Sequence, residues 1–143
     1  MELGGNAPFI VFDDADIELA SNIGAAIKFG NCGQICVAAN RFFMHEKVFD
    51  EFMEKMISKA RQLKIGFNKQ LDYDIGPMIT NKSKERVLEL IKITIEEGGK
   101  LHYGGKSPED LSEGNWIQPT VISGVTDKML SLIHISEPTR PST

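Results

Sequence analysis

The chain has 143 residues, 41% hydrophobic and 25% charged, a balance that suits one soluble globular domain and excludes a disordered chain. Its formal net charge of −4 argues against a protein built to hold nucleic acid, which needs a basic face. No apolar run is long enough for a bilayer, the first residues lack a secretory pattern, and two cysteines make no disulfide scaffold. The expected setting is therefore the reducing cytoplasm, with neither nucleic acid nor membrane as partner.

Asn6 to Phe12 is a short apolar run between Gly4-Gly5 and Asp13-Asp14, with the length of a buried strand. Asp13, Asp14 and Asp16 offer N-cap groups, and Ile17, Ala20, Ile23 and Ile27 recur at helical spacing, so a helix is predicted from Asp16 to Phe29. Gly30, Asn31 and Gly33 end or bend it. Val37 to His45 reads as a second strand. Val48, Phe49, Phe52, Met56 and Ile57 mark a second helix ending near Lys64. After a turn-rich connection, a third helix is capped by Asn81 or Ser83, lined by Val87, Leu90, Ile91 and Ile95, and stopped at Gly98-Gly99. Strands are predicted at Lys100 to Tyr103 and within Trp116 to Ile122, around a polar loop from Ser107 to Asn115. Strands alternating with long helices predict an α/β class, an open, largely parallel sheet flanked by helices.

Two segments carry chemistry. Cys36 follows a helix end in a turn with Gly33, which lets the backbone adopt an unusual conformation. A thiolate held on such a loop can attack a substrate and form a covalent intermediate. Glu2, just before Gly4-Gly5, can act as a general base where its surroundings raise its pKa. Cys32 is four residues before Cys36 and shares a face with it if the segment stays helical. That pair opens a second reading, a non-enzymatic binding or redox-sensing module. Two thiols make no zinc site, and no metal is expected. His45, His102 and His134 have no supporting constellation for a cysteine protease.

Glu2-Leu3-Gly4-Gly5-Asn6-Ala7-Pro8 followed by Gly33-Gln34-Ile35-Cys36 resembles the paired active-site motifs of the aldehyde dehydrogenase superfamily, and the 34-position separation of Glu2 and Cys36 agrees with it. So do Asp13-Asp14-Ala15-Asp16, Ile75-Gly76-Pro77-Met78-Ile79, the glycine-rich stretch Gly98 to Lys106, and Gln118-Pro119-Thr120. The resemblance implies that Cys36 is the nucleophile, forming a thiohemiacetal and then a thioester, with its own N–H helping to hold the oxyanion. It implies that NAD or NADP takes the hydride, that Glu2 activates the hydrolytic water, and that Leu3 and Gly4 lie near the nicotinamide. A carboxylate at Glu2 favours the hydrolytic branch over acyl transfer to coenzyme A. The N-terminal segment is most similar to succinate-semialdehyde dehydrogenases. Those enzymes carry an arginine six residues before the cysteine, where this chain has Gly30.

Members of the family are several times longer. The resemblance therefore implies that residues 1–129 are part of a catalytic domain, with the cofactor-binding half supplied elsewhere, in a homo-oligomeric enzyme acting on a small aldehyde. Alone, the chain is expected to be inactive. Residues 130–143 resemble the conceptual translation of a sequencing adapter and are expected to be a non-native tail.

Overall fold

A computed structural model describes residues 7–67, 72–111, 113–126 and 128–129. The elements in order are β1 (Pro8–Val11), α1 (Ile17–Phe29), a 3-10 turn (Gly30–Gly33), β2 (Arg41–Met44), α2 (Glu46–Gln62), α3 (Asn81–Glu96), β3 (Lys100–Tyr103) and β4 (Val121–Ser123).

Strand β1, helix α1 and strand β2 form a parallel crossover unit. Pro8 pairs with Arg41, and the register runs unbroken to Val11 with Met44. Alternation along the strands turns Phe9, Val11, Phe42 and Met44 toward the helices. Phe9 and Phe42 lie 5.1 Å apart, and both meet Phe52 of α2, which is 1% exposed. Gly24 of α1 allows this close approach, because a Cβ there would sit 3.1 Å from the Phe42 ring. The opposite face of the pair exposes Ile10 and Phe43, which are directly opposed in the register.

Helix α1 starts where its acids predict: the Asp16 side chain accepts from the Leu19 N–H at 2.9 Å. Helix α2 packs along α1 through Phe52, Met53, Met56 and Ala60. Glu18 of α1 bridges Lys55 and Lys59 of α2 at 2.8 and 3.1 Å. Helix α3 is capped by Thr80 rather than by Asn81 or Ser83. The Thr80 hydroxyl accepts from the Ser83 N–H at 3.1 Å, while Asn81 reaches forward to Glu85. Ile91 and Thr94 are its buried residues, and Ile95, expected on the apolar face, is 40% exposed.

The α/β class and the parallel pair agree with the sequence, and β3 with β4 adds an antiparallel pair. Strand β4 begins later than Trp116 because its approach is engaged in loop bonds. The Trp116 indole N–H goes to the Glu113 carbonyl, and the Thr120 hydroxyl accepts from Gly105 N–H. Met78, Ile91 and Ile117 form a second, smaller core beneath this part of the chain.

Candidate active site

The segment from Lys28 to Arg41 leaves α1, turns sharply, and enters β2. Asn31, Cys32 and Gly33 all take positive φ, at 49°, 58° and 71°. Such backbone is costly for a non-glycine residue, on the order of 1–2 kcal/mol. At Gly33 no side chain fits easily, since a Cβ would lie 3.0 Å from the Lys28 carbonyl oxygen. Asn31 offsets its cost locally: its carbonyl accepts from the Gln34 N–H at 3.0 Å, and its amide donates to the Gln34 carbonyl.

Beyond this kink, the Ala38 N–H bonds the Ile35 carbonyl at 3.1 Å, which closes a turn with Cys36 and Val37 at its tip. Cys36 is exposed on that turn, while Ala38 and Ala39 are buried and anchor its exit. This turn is why β2 starts at Arg41 and not at Val37, as the apolar run suggested.

Cys32 sits differently. It is half-buried, packs against both cores, and donates its thiol to the Gly76 carbonyl at 2.8 Å. Burial pushes its pKa up from the ordinary 9.0, which keeps it protonated and able to donate. The expectation that Cys32 and Cys36 share a helical face is corrected here. The helix ends at Phe29, and left-handed residues intervene between it and Cys36.

Three side chains brace the loop that the sequence did not single out. Gln34 accepts from the Ile79 N–H at 3.0 Å, tying the loop to the Gly76–Ile79 segment that also holds Cys32. Lys28 donates to the Asn40 side-chain carbonyl at 2.7 Å, which joins the two ends of the loop. Burial lowers the Lys28 pKa. No pattern pointed to these contacts, because their partners are distant in sequence or neutral.

Glu2, Leu3 and Gly4, the expected base and cofactor contacts, lie outside the described residues, as does the 130–143 stretch. β1 and β2 enter the sheet side by side at Pro8 and Arg41, six residues after Glu2 and five after Cys36. A cleft of about 500 Å³ opens at the stem of the loop, bordered by Phe29, Gly30, Lys59, Gln62 and Asp74; Cys36 is not on its wall. A Cβ at Gly30 would meet nothing within 4 Å.

The profile of the aldehyde dehydrogenase family matches residues 1–134. The chain is 42% identical over 130 residues to succinate-semialdehyde dehydrogenase [NADP(+)] 2 of Schizosaccharomyces pombe, a match covering 91% of this chain and 26% of that protein. Its fold superposes on a succinate-semialdehyde dehydrogenase from Burkholderia pseudomallei with a TM-score of 0.85 and 40% identity, covering 92% of this chain and 27% of the other. A betaine aldehyde dehydrogenase from Staphylococcus aureus, solved in complex with NAD+, gives 0.86 at 32% identity, covering 92% and 26%. The chain thus spans about a quarter of the length of these relatives. On the match of its sequence from end to end of the described fold, the chain belongs to the aldehyde dehydrogenase family.

Proposed function

We propose that this chain carries the nucleophile and the water-activating base of an NAD(P)-dependent aldehyde dehydrogenase, with Cys36 and Glu2 in those roles. The observation that supports it is the parallel pairing of β1 and β2, the strands that next follow Glu2 and Cys36 in the sequence and that start side by side at Pro8 and Arg41. The Cys36 sulfur attacks the aldehyde carbon, a C–S bond forms, and the carbonyl electron pair moves to oxygen. Oxidation of that adduct leaves a thioester on Cys36. Glu2 takes a proton from water, the hydroxide adds to the thioester, and the C–S bond breaks to release the acid and the thiolate.

A nicotinamide dinucleotide, when bound, supplies the hydride acceptor. The described residues do not themselves fit its diphosphate. Asp13, Asp14, Asp16 and Glu18 stand at the start of α1, and Glu46 opens α2, so neither helix N-terminus favours a phosphate. Thr80 already occupies a free amide of α3. No cofactor step is therefore assigned to these residues.

Succinate semialdehyde is the first substrate to test, because two of the similar proteins are named for it. Gly30 leaves open space where an arginine would grip the substrate carboxylate, so a shorter or uncharged aldehyde is the second. The proposal includes a cytoplasmic homo-oligomer; no helix among the described residues is long and apolar enough to cross a membrane.

The test is alkylation of Cys36 in the chain extended to the length of its relatives. Aldehyde with NAD(P)+ should protect Cys36 from iodoacetamide, and Cys36→Ala should abolish NAD(P)H formation. Full activity in Cys36→Ala would overturn the assignment.

A further inference from the structure

The turn that carries the thiol is not packed into either core. Ile35, Cys36 and Val37 are all exposed, so the turn is placed by its two ends. At its exit Ala38 and Ala39 are buried. At its entry stands Gln34, held by hydrogen bonds on two sides. Its backbone N–H and its side-chain amide both donate to the Asn31 carbonyl, at 3.0 and 3.2 Å. Its side-chain oxygen accepts from the Ile79 N–H at 3.0 Å. The Ile79 end is a fixed point. Its neighbour Met78 is buried in the second core with Ile91 and Ile117, and the Met78 N–H donates to the Asn115 carbonyl at 2.8 Å. Gly76 of the same segment accepts the Cys32 thiol. Gln34 thus links the entry of the turn to a segment seated in the core, 45 positions further along the chain.

We infer that Gln34 is a positioning residue for Cys36: by bridging Asn31 and Ile79 it fixes the entry of the turn and, with Ala38 at the exit, sets where the sulfur stands. The inference rests on Cys36 as the nucleophile. In this role Gln34 acts through the backbone and not on the reacting atoms. Attack on a carbonyl needs the sulfur in a narrow range of approach, and a displacement on the order of 1 Å costs up to about a hundredfold in rate. A small alkylating agent can reach the exposed thiol from many directions and makes no such demand, which separates placement from access.

The test is a single turnover in the chain extended to the length of its relatives. Enzyme is in excess over the better of succinate semialdehyde and propionaldehyde, NAD(P)+ is saturating, and the limiting rate constant of NAD(P)H formation is read. Gln34→Leu should lower that constant by about ten- to a hundredfold, with iodoacetamide alkylation of Cys36 in the same protein unchanged. Gln34→Glu keeps an oxygen for the Ile79 N–H and should restore most of the rate. Gln34→Asn keeps the amide but is one methylene short; it should behave as Gln34→Leu, and it decides the matter if Gln34→Leu does not fold. A purely structural role would lower the melting temperature and the number of active sites and leave the rate constant per site at its native value. A native rate constant in Gln34→Leu or Gln34→Asn, an equal loss in Gln34→Glu, or alkylation slowed as much as turnover would overturn the inference and leave the proposed function standing. NAD(P)H formation by Cys36→Ala would overturn the proposed function, and this inference with it.

Discussion

The Gln34 side-chain oxygen accepts the Ile79 backbone N–H at 3.0 Å, joining the cysteine loop to a segment 45 residues further along the chain. With the Cys32 thiol on the Gly76 carbonyl, this makes two struts from one short stretch to the loop. The loop that presents Cys36 is therefore held from outside, and its left-handed backbone is stabilised by contacts that a short peptide would lack.

Removing the Gln34 strut should loosen the loop. Gln34→Leu leaves the Ile79 N–H without this acceptor and should cost about 0.5–1.5 kcal/mol. Gln34→Glu keeps an oxygen acceptor and should cost less. Urea unfolding of the three proteins checks the order.

The two thiols should differ in reactivity with pH. Burial raises the Cys32 pKa above 9.0, so Cys36 should be alkylated first at pH 8 and the difference should shrink above pH 9. The same shift affects stability. A thiol with a raised folded pKa contributes fully below pH 9.0 and loses that contribution as pH rises through its folded value. Thermal melts from pH 8 to 11 should fall less steeply in Cys32→Ala.

Acid should break the tie between α1 and α2. The hydrogen bonds from Lys55 and Lys59 lower the Glu18 pKa from 4.5 to about 2. A carboxylate with a lowered folded pKa contributes above its unfolded value, so this stabilisation is present above pH 4.5 and is lost as pH falls toward 2. Glu18→Gln should flatten that part of the stability profile. The Glu18 carboxylate is solvent-exposed, so high salt should have a similar effect.

The fold's centre is aromatic. Phe52→Ala removes a ring that is 1% exposed and packed at a tilt against Phe9 and Phe42, and should cost about 3–5 kcal/mol. That is a large share of a small domain's stability, and should appear as loss of a cooperative melt.

Much of this was legible in the residues. Asp16 predicted the start of α1, and Gly33 the need for unusual backbone, because both rules act within a few residues. Thr80 caps α3 although Asn81 and Ser83 after it are equally good capping types, because only backbone direction chooses among them. Val37 looked like strand, yet the turn closed by Ala38 and Ile35 places it at an exposed tip, since tertiary anchoring outweighs β-propensity. The Gln34 and Cys32 struts could not be read, because their partners are backbone groups more than forty residues away and leave no mark in composition.

The most direct measurement is the first turnover of Glu2→Gln in the chain extended to the relatives' length, followed as NAD(P)H absorbance after rapid mixing with aldehyde. A burst matching the number of Cys36 sites, followed by slow or absent steady-state turnover, is the expected result: the thioester forms and water is not activated. Normal steady-state turnover would contradict the pairing of Cys36 with Glu2.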